Sequence, residues 1–139
     1  MMHKLLYFLK HYPFSLLLTL FIAWGSLAPL PAQTLPPFRW SDKLVHLLMY
    51  FTLCGVIHIE YYRAHRSSSS RTASTSRLWL WALIAPAALG GLLELAQEYL
   101  TTNRTGDWFD FAANTLGCLL AALVAWCWLH RRTQSTHTP

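Results

Sequence analysis

Residues 108–129, WFDFAANTLGCLLAALVAWCWL, decide the fold class of this chain. The stretch is apolar over most of its length and is long enough to cross a bilayer as one helix. Small residues recur in it at every fourth position, at Ala113, Gly117, Ala121 and Ala125. Because small side chains at this spacing let a neighbouring helix approach closely, the stretch predicts a membrane helix that packs against other helices.

Three further apolar segments precede this stretch in the chain. They predict membrane spans at about residues 14–30, 44–62 and 78–100. We therefore expect an all-α polytopic membrane protein, a bundle of about four transmembrane helices that forms a single domain over residues 1–139. The first segment follows Lys4 and Lys10, so a cleaved signal peptide is the alternative interpretation of that segment.

The composition favours a membrane protein over a soluble one. Hydrophobic residues make up 54% of the chain and charged residues 12%, whereas a soluble domain carries about 25% charged residues. The net charge of +5 does not predict nucleic acid as a partner, because the basic residues lie in short segments between apolar runs. The three cysteines lie in apolar segments without metal-ligand spacing and are interpreted as packing residues.

Lys and Arg are concentrated in the N-terminus, residues 63–77 and the C-terminus, which the positive-inside rule assigns to the cytoplasm. Residues 63–77 are also rich in Ser and Thr and predict a flexible cytoplasmic loop. The opposite side holds Asp42, Asp107 and Asp110. We therefore expect both termini to be cytoplasmic and the aspartates to be extracytoplasmic.

Ionisable and amide side chains gather near the extracytoplasmic ends of three spans. Within each span they recur three or four residues apart and therefore share one helix face. They are Asp42, His46 and Tyr50 in the second span, Glu94 and Gln97 in the third, and Asp110 and Asn114 in the fourth. Since a charged group that faces lipid costs about 3 kcal/mol at the bilayer centre, these faces are expected to converge on a polar pocket.

Several of these residues form a pattern that resembles the VanZ-like family of bacterial integral membrane proteins. The pattern comprises DKLVH at residues 42–46 with Tyr50, ELAQ at 94–97, Arg104, and DFAANTLG at 110–117. The resemblance covers about residues 39–125 and implies a multi-pass protein of the bacterial cytoplasmic (inner) membrane. The founding member of the family is associated with resistance to the glycopeptide antibiotic teicoplanin, so the resemblance also implies a role in antibiotic resistance. It supplies no catalytic residue.

The expected pocket suits a binding function. It comprises Asp42, His46, Tyr50, Glu94, Gln97, Arg104, Asp107, Asp110 and Asn114. It would accept a membrane lipid, a lipid-linked cell-wall precursor or a glycopeptide, with Arg39, Lys43 and Arg104 as anion-binding candidates. Structural roles stay open for three of its members, because Asp42 can cap a helix, Asn114 can bridge helices, and Arg104 can pair with a neighbouring aspartate.

Two other functional classes are compatible with the same residues. A hydrolase or transferase would use His46 or Glu94 as general acid or base. Its ligand types permit a divalent metal, held by Asp42, His46, Glu94 and Asp110. A proton-linked transporter would need further partners in the cytoplasmic half of the bundle, where His58 and Glu60 are expected to be interfacial.

Overall fold

The structure is a computed structural model that describes residues 2–28, 40–65, 71–102 and 106–134. Within these ranges all regular secondary structure is helical, which confirms the predicted all-α fold class. The helices are α1 (Met2–His11), α2 (Pro13–Leu27), α3 (Ser41–Ala64), α4 (Arg71–Leu100) and α5 (Trp108–Gln134).

Helix α1 is absent from the predicted set of four. It ends at His11, and α2 begins at Pro13. Proline is favoured at the first position of a helix because its missing N–H needs no partner there. The same residue cannot continue a preceding helix, because it has no N–H to donate and its ring clashes with the previous turn. One N-terminal run is therefore divided into two helices.

The prediction of a flexible loop over residues 63–77 is wrong at both ends of that range. Helix α3 continues to Ala64, and α4 already begins at Arg71. Residues 66–70 lie outside the described residues, as do 29 and 30 at the end of the first predicted span. Ser and Thr cost only a fraction of a kcal/mol each in a helix, so an apolar helix that is already formed can extend through them.

Two helices of the described chain, Ser41–Ala64 and Trp108–Trp128, are long and apolar enough to cross a membrane, and Pro13–Leu27 is apolar but shorter. The side chains of the bundle are distributed as in a protein surrounded by apolar solvent. Large apolar residues are exposed along α2, α3, α4 and α5, among them Leu17, Leu48, Leu92, Leu123 and Val124. Polar residues are buried, among them His46, Glu60, Glu94, Asp110 and Asn114.

Helices α3 and α5 form the most extensive helix pair of the bundle. Gly117 on α5 allows their close approach, because a Cβ atom at this position would collide with the carbonyl oxygen of Leu47 and would lie 2.9 Å from the backbone nitrogen of Phe51. The predicted small-residue face of α5 thus meets α3 at this point. The buried core around the pair contains Ile22, Tyr50, Leu53, Cys54, Leu93, Cys118 and Ala121.

Candidate functional site

Three helix ends bring the candidate polar residues to one place. The beginning of α3, the end of α4 and the beginning of α5 meet at the same end of the bundle, in agreement with the depths expected from sequence. We call the side chains that meet there the polar cluster, which comprises Asp42, Lys43, His46, Glu94, Asp107, Asp110 and Asn114.

Lys43 joins α3 to the beginning of α5. Its Nζ lies 2.5 Å from Oδ2 of Asp107 and 2.7 Å from Oδ1 of Asp110. The ammonium of Lys43 and then the N–H of Phe109 hold the pKa of Asp107 below its usual range. Lys43 was expected to bind an external anion, but in this structure it neutralises carboxylates of the protein itself.

Asp107 also begins α5. It precedes the helix, and its Oδ1 accepts a hydrogen bond of 2.8 Å from the N–H of Phe109. An aspartate in this position satisfies an amide of the first turn that has no partner within the helix. Asp107 therefore orients the part of α5 that carries Asp110 and Asn114.

His46 is buried in the middle of the polar cluster. Its Nδ1 lies 3.1 Å from Oδ1 of Asn114. On the other side of the ring, Nε2 lies 3.8 Å from Oδ1 of Asp42 and 3.9 Å from Oδ2 of Asp110. An amide oxygen can only accept, so Nδ1 is the protonated nitrogen and Nε2 faces the two aspartates.

Glu94 contacts the cluster from α4, on the Nδ1 side of His46. Its Oε1 lies 3.8 Å from that nitrogen, and its Oε2 accepts a hydrogen bond of 3.0 Å from the N–H of Asp107. The carboxylate therefore ties the end of α4 to the segment that precedes α5. Of the four residues expected as metal ligands, Glu94 is the one that lies apart from the other three.

Asp42 lies in the first turn of α3 and interacts with its neighbours in the polar cluster. The residue that precedes this helix, Trp40, makes no capping bond through its side chain. The contacts of the Asp42 carboxylate are with Lys43, at 3.7 Å, and with His46. Since its side chain is 40% exposed, Asp42 forms the outer edge of the cluster.

The remaining candidates lie elsewhere. Tyr50 is fully buried one turn below His46, in the core between the helices. Gln97 points towards α2, where its Nε2 donates a hydrogen bond of 2.9 Å to the carbonyl of Ser26. Arg39 and Arg104 lie outside the described residues. Tyr50 and Gln97 therefore support the bundle around the cluster.

An apolar groove of about 370 Å³ runs between α3 and α5 beside the polar cluster. Lys43 lines the groove and also contacts Asp107 and Asp110 of the polar cluster. An apolar surface and a charged surface therefore lie side by side, and a single amphipathic molecule could contact both. The lining residues are Trp40, Lys43, Leu44, Leu47, Phe109, Ala112, Ala113 and Leu116.

A second buried carboxylate, at the opposite end of α3, was not recognised from sequence. Glu60 is 4% exposed. Its Oε1 accepts a hydrogen bond from the N–H of Phe14 at 2.8 Å, and its Oε2 accepts two from Ser15, from N–H at 3.1 Å and from Oγ at 2.7 Å. It occupies the N-terminus of α2, where a negative charge is favoured by unpaired amides and by the helix dipole.

His58 lies one turn before Glu60 and is also buried, with its Nδ1 2.7 Å from the carbonyl oxygen of Cys54. His58 and Glu60, which were expected to be interfacial, are both buried between the helices near the end of α3. The four-residue spacing that begins at Asp42, His46 and Tyr50 in fact continues through Cys54 to His58. This longer repeat was the available signal for His58, and it does not include Glu60.

The charges of the polar cluster favour a cation or an amine. Within the described part of the chain, four carboxylates, those of Asp42, Glu94, Asp107 and Asp110, lie near one ammonium, that of Lys43. Carboxylate oxygens and a neutral imidazole nitrogen are good metal ligands. The same atoms can also accept or donate a proton.

Comparison with known proteins gives one relative of unknown activity. The chain is 31% identical over 99 residues to an uncharacterised protein of the fission yeast Schizosaccharomyces pombe. The aligned region covers 70% of this chain and 54% of the relative, so the chain spans about half the length of the curated relative that it matches. No family model matches the chain, and no solved structure matches it significantly.

Proposed function

We propose that this chain is a multi-pass membrane protein that binds an amphipathic envelope lipid between α3 and α5. The ligand class that we propose is a membrane lipid or a lipid-linked cell-wall precursor. The observation that carries the proposal is the apolar groove, which is lined in part by Lys43 of the polar cluster. A lipid presents the same combination, a hydrocarbon chain joined to a polar headgroup.

The distribution of side chains supports a site within the membrane boundary. Several groove residues, such as Leu44, Phe109 and Leu116, are more than 40% exposed, and surfaces of this kind are stable only against other apolar groups. An acyl chain in the groove would be continuous with the surrounding lipid. A positively charged amine of the headgroup would then lie beside Asp107 and Asp110.

The sign of the charges in the loops supports the orientation of this site. Lys and Arg are most frequent in the N-terminus, residues 63–77 and the C-terminus, which favours a cytoplasmic position for these segments. The polar cluster would then face the outside of a bacterial cytoplasmic membrane. Lipid-linked cell-wall precursors and glycopeptides are accessible on that side.

The test is the identity of the lipids that accompany the purified protein. Mass spectrometry of lipids extracted after mild purification should show one lipid class enriched over the bulk membrane. Ala112→Trp fills the groove and should abolish the enrichment. Ala88→Trp, at an exposed position of α4 outside the groove, is the matched control and should retain it. Equal lipid profiles for the two variants would refute binding in the groove.

A contribution to teicoplanin resistance follows from the VanZ-like pattern and belongs to the same proposal. Expression of the wild-type chain in a susceptible host should raise the inhibitory concentration of teicoplanin. The Ala112→Trp variant should lose the effect if the lipid site is responsible. Equal susceptibility with and without the wild-type protein would remove antibiotic resistance from the proposal and leave lipid binding to be judged separately.

The second candidate function is a membrane-embedded hydrolase or transferase that acts on a lipid-linked substrate. The observation that favours it is the position of His46, whose Nε2 faces two carboxylates while Nδ1 is held by Asn114. A histidine oriented in this way can act as a general base. Turnover of a radiolabelled lipid-linked precursor by the wild type, lost in His46→Phe, would establish it, and no turnover would exclude it for that substrate.

A further inference from the structure

Three ligand atoms converge at the outer edge of the polar cluster. They are Oδ1 of Asp42, Nε2 of His46 and Oδ2 of Asp110, and they all lie within 4.8 Å of one another. The side chains of His46 and Asp110 are only 7% and 8% exposed. Two of the three ligands are thus held by the packed helices α3 and α5, and Asp42 approaches them from the surface.

The orientation of His46 is independent evidence for a cation. Asn114 accepts a hydrogen bond from Nδ1, so Nε2 is the ring nitrogen that is left for a ligand. Nε2 faces two carboxylates at 3.8 and 3.9 Å, which is too far for an N–H···O hydrogen bond. Lys43 contacts the other oxygen of each carboxylate, and a cation beside Nε2 would stabilise the two oxygens that face this nitrogen.

The amide of Asn114 has the role that outer partners of metal-bound histidines commonly have. Such a partner fixes the tautomer and the ring orientation by accepting the proton of the nitrogen that does not bind the metal. Glu94 lies on the same side of the ring as Asn114. It therefore belongs with the groups around the site, not with the three ligands.

We propose that Asp42, His46 and Asp110 bind a divalent transition metal ion, with Zn²⁺ as the ion best suited to one imidazole and two carboxylates. The spacing requires a small contraction, since tetrahedral Zn²⁺ with bonds of about 2.0–2.1 Å separates its ligands by about 3.4 Å. Asp42 is the ligand that can supply it, because its side chain is 40% exposed whereas those of His46 and Asp110 are buried.

Lys43 is compatible with the metal site. It contacts Oδ1 of Asp110 at 2.7 Å, whereas the proposed metal ligand is Oδ2 of the same carboxylate. One oxygen can therefore remain on the ammonium while the other binds the ion. Three protein ligands leave a coordination position open, and a phosphate oxygen of the lipid headgroup can fill it if the lipid proposal is correct. The metal site itself does not depend on that proposal.

The experiment measures metal binding by the purified full-length protein in detergent, with added Zn²⁺ and with Co²⁺ as the spectroscopic probe. We expect one Zn²⁺ for each chain, removable by a chelator, and a visible Co²⁺ absorption band typical of low coordination number. Asp42→Asn is the main variant because it changes an exposed side chain, and it should weaken Zn²⁺ binding at least tenfold. His46→Phe should abolish the Co²⁺ band.

The matched control is Glu98→Gln, which removes an equal charge from an exposed carboxylate near the end of α4 that is not a member of the polar cluster, and it should change the affinity less than threefold. The Ala112→Trp variant should no longer enrich a lipid but should still bind Zn²⁺. A failure of the lipid proposal can therefore be distinguished from a failure of the metal proposal. Substoichiometric Zn²⁺, or equal affinities for Asp42→Asn and the wild type, would overturn the metal site. So would nitrogen NMR that shows both ring nitrogens of His46 protonated at saturating Zn²⁺.

Discussion

The Nδ1 of His46 lies 3.1 Å from the Oδ1 of Asn114, and this contact joins α3 to α5 inside the polar cluster. Both side chains are buried. Neither can exchange its partner for water without separating the two helices, so the pair contributes to stability whatever the cluster binds.

Asn114→Ala should lower the free energy of unfolding by about 1–3 kcal/mol, because it leaves a buried imidazole N–H without its acceptor. The measurement is reversible unfolding in mixed micelles. The control is Thr52→Ala, an exposed position of α3 whose hydroxyl bonds only within its own helix, and its effect should stay within about 0.5 kcal/mol. Equal losses for the two variants would contradict a specific role of the Asn114 contact.

Gly117→Ala should destabilise the protein by about 1–3 kcal/mol through overpacking. Its Cβ would meet the backbone of Leu47 and Phe51, which cannot rotate away as a side chain can. Gly55→Ala is the matched control, since a Cβ at Gly55 meets nothing within 4 Å, and it should stabilise α3 by up to about 1 kcal/mol. The measurement is the free energy of unfolding of each variant, and the two changes should have opposite signs. A Gly117→Ala variant that is more stable than the wild type would rule out the close approach of α3 and α5.

Glu60→Gln should loosen the N-terminus of α2. The substitution removes the charge and one of the two acceptor oxygens that Phe14 and Ser15 share, at an expected cost of about 1–3 kcal/mol. Hydrogen exchange at the amides of Phe14 and Ser15 should accelerate, while exchange in α5 should not. Glu98→Gln, at an exposed carboxylate that accepts one bond from Gly106, is the control and should leave α2 unchanged.

Asp107 should make stability depend on pH in the acid range. Its pKa is lowered in the folded protein from an ordinary value of 3.8, so the unfolded chain binds more protons between the two values. The stabilisation is present in full above about pH 4 and is lost as the pH falls through the folded pKa. In Asp107→Asn this loss should be absent. The measurement is the free energy of unfolding of both proteins as the pH is lowered. The same pH dependence in the wild type and in Asp107→Asn would contradict the ion pair with Lys43.

The meeting of the polar residues could be predicted because helix geometry alone determines which side chains share a face and a depth. The positions of His46, Glu94 and Asn114 follow from their distance to the helix ends. The partners within the cluster could not be predicted in this way. Whether Lys43 meets Asp110 or an external anion depends on the rotation of α3 against α5, which the close approach at Gly117 determines.

The misassigned segments have a similar physical origin. Residues 71–77 were interpreted from their own composition, whereas their helical state depends on the apolar helix that follows them. Glu60 was interpreted from its place at the end of an apolar run. Its burial depends on the N-terminus of α2, which lies 45 residues away in the chain, and no local pattern reports such a contact.

Glu60 and the polar cluster together have a mechanical consequence for α3. The helix is fixed by ionic or charge-assisted contacts at both of its ends, to α5 through Lys43 and to α2 through Glu60. A shift by one residue along its axis, about 1.5 Å, would break both sets of contacts at once. Helix α3 is therefore held against sliding along its axis, and a relative motion of the helices that keeps these contacts is a rotation or tilt of α2 and α5 around it.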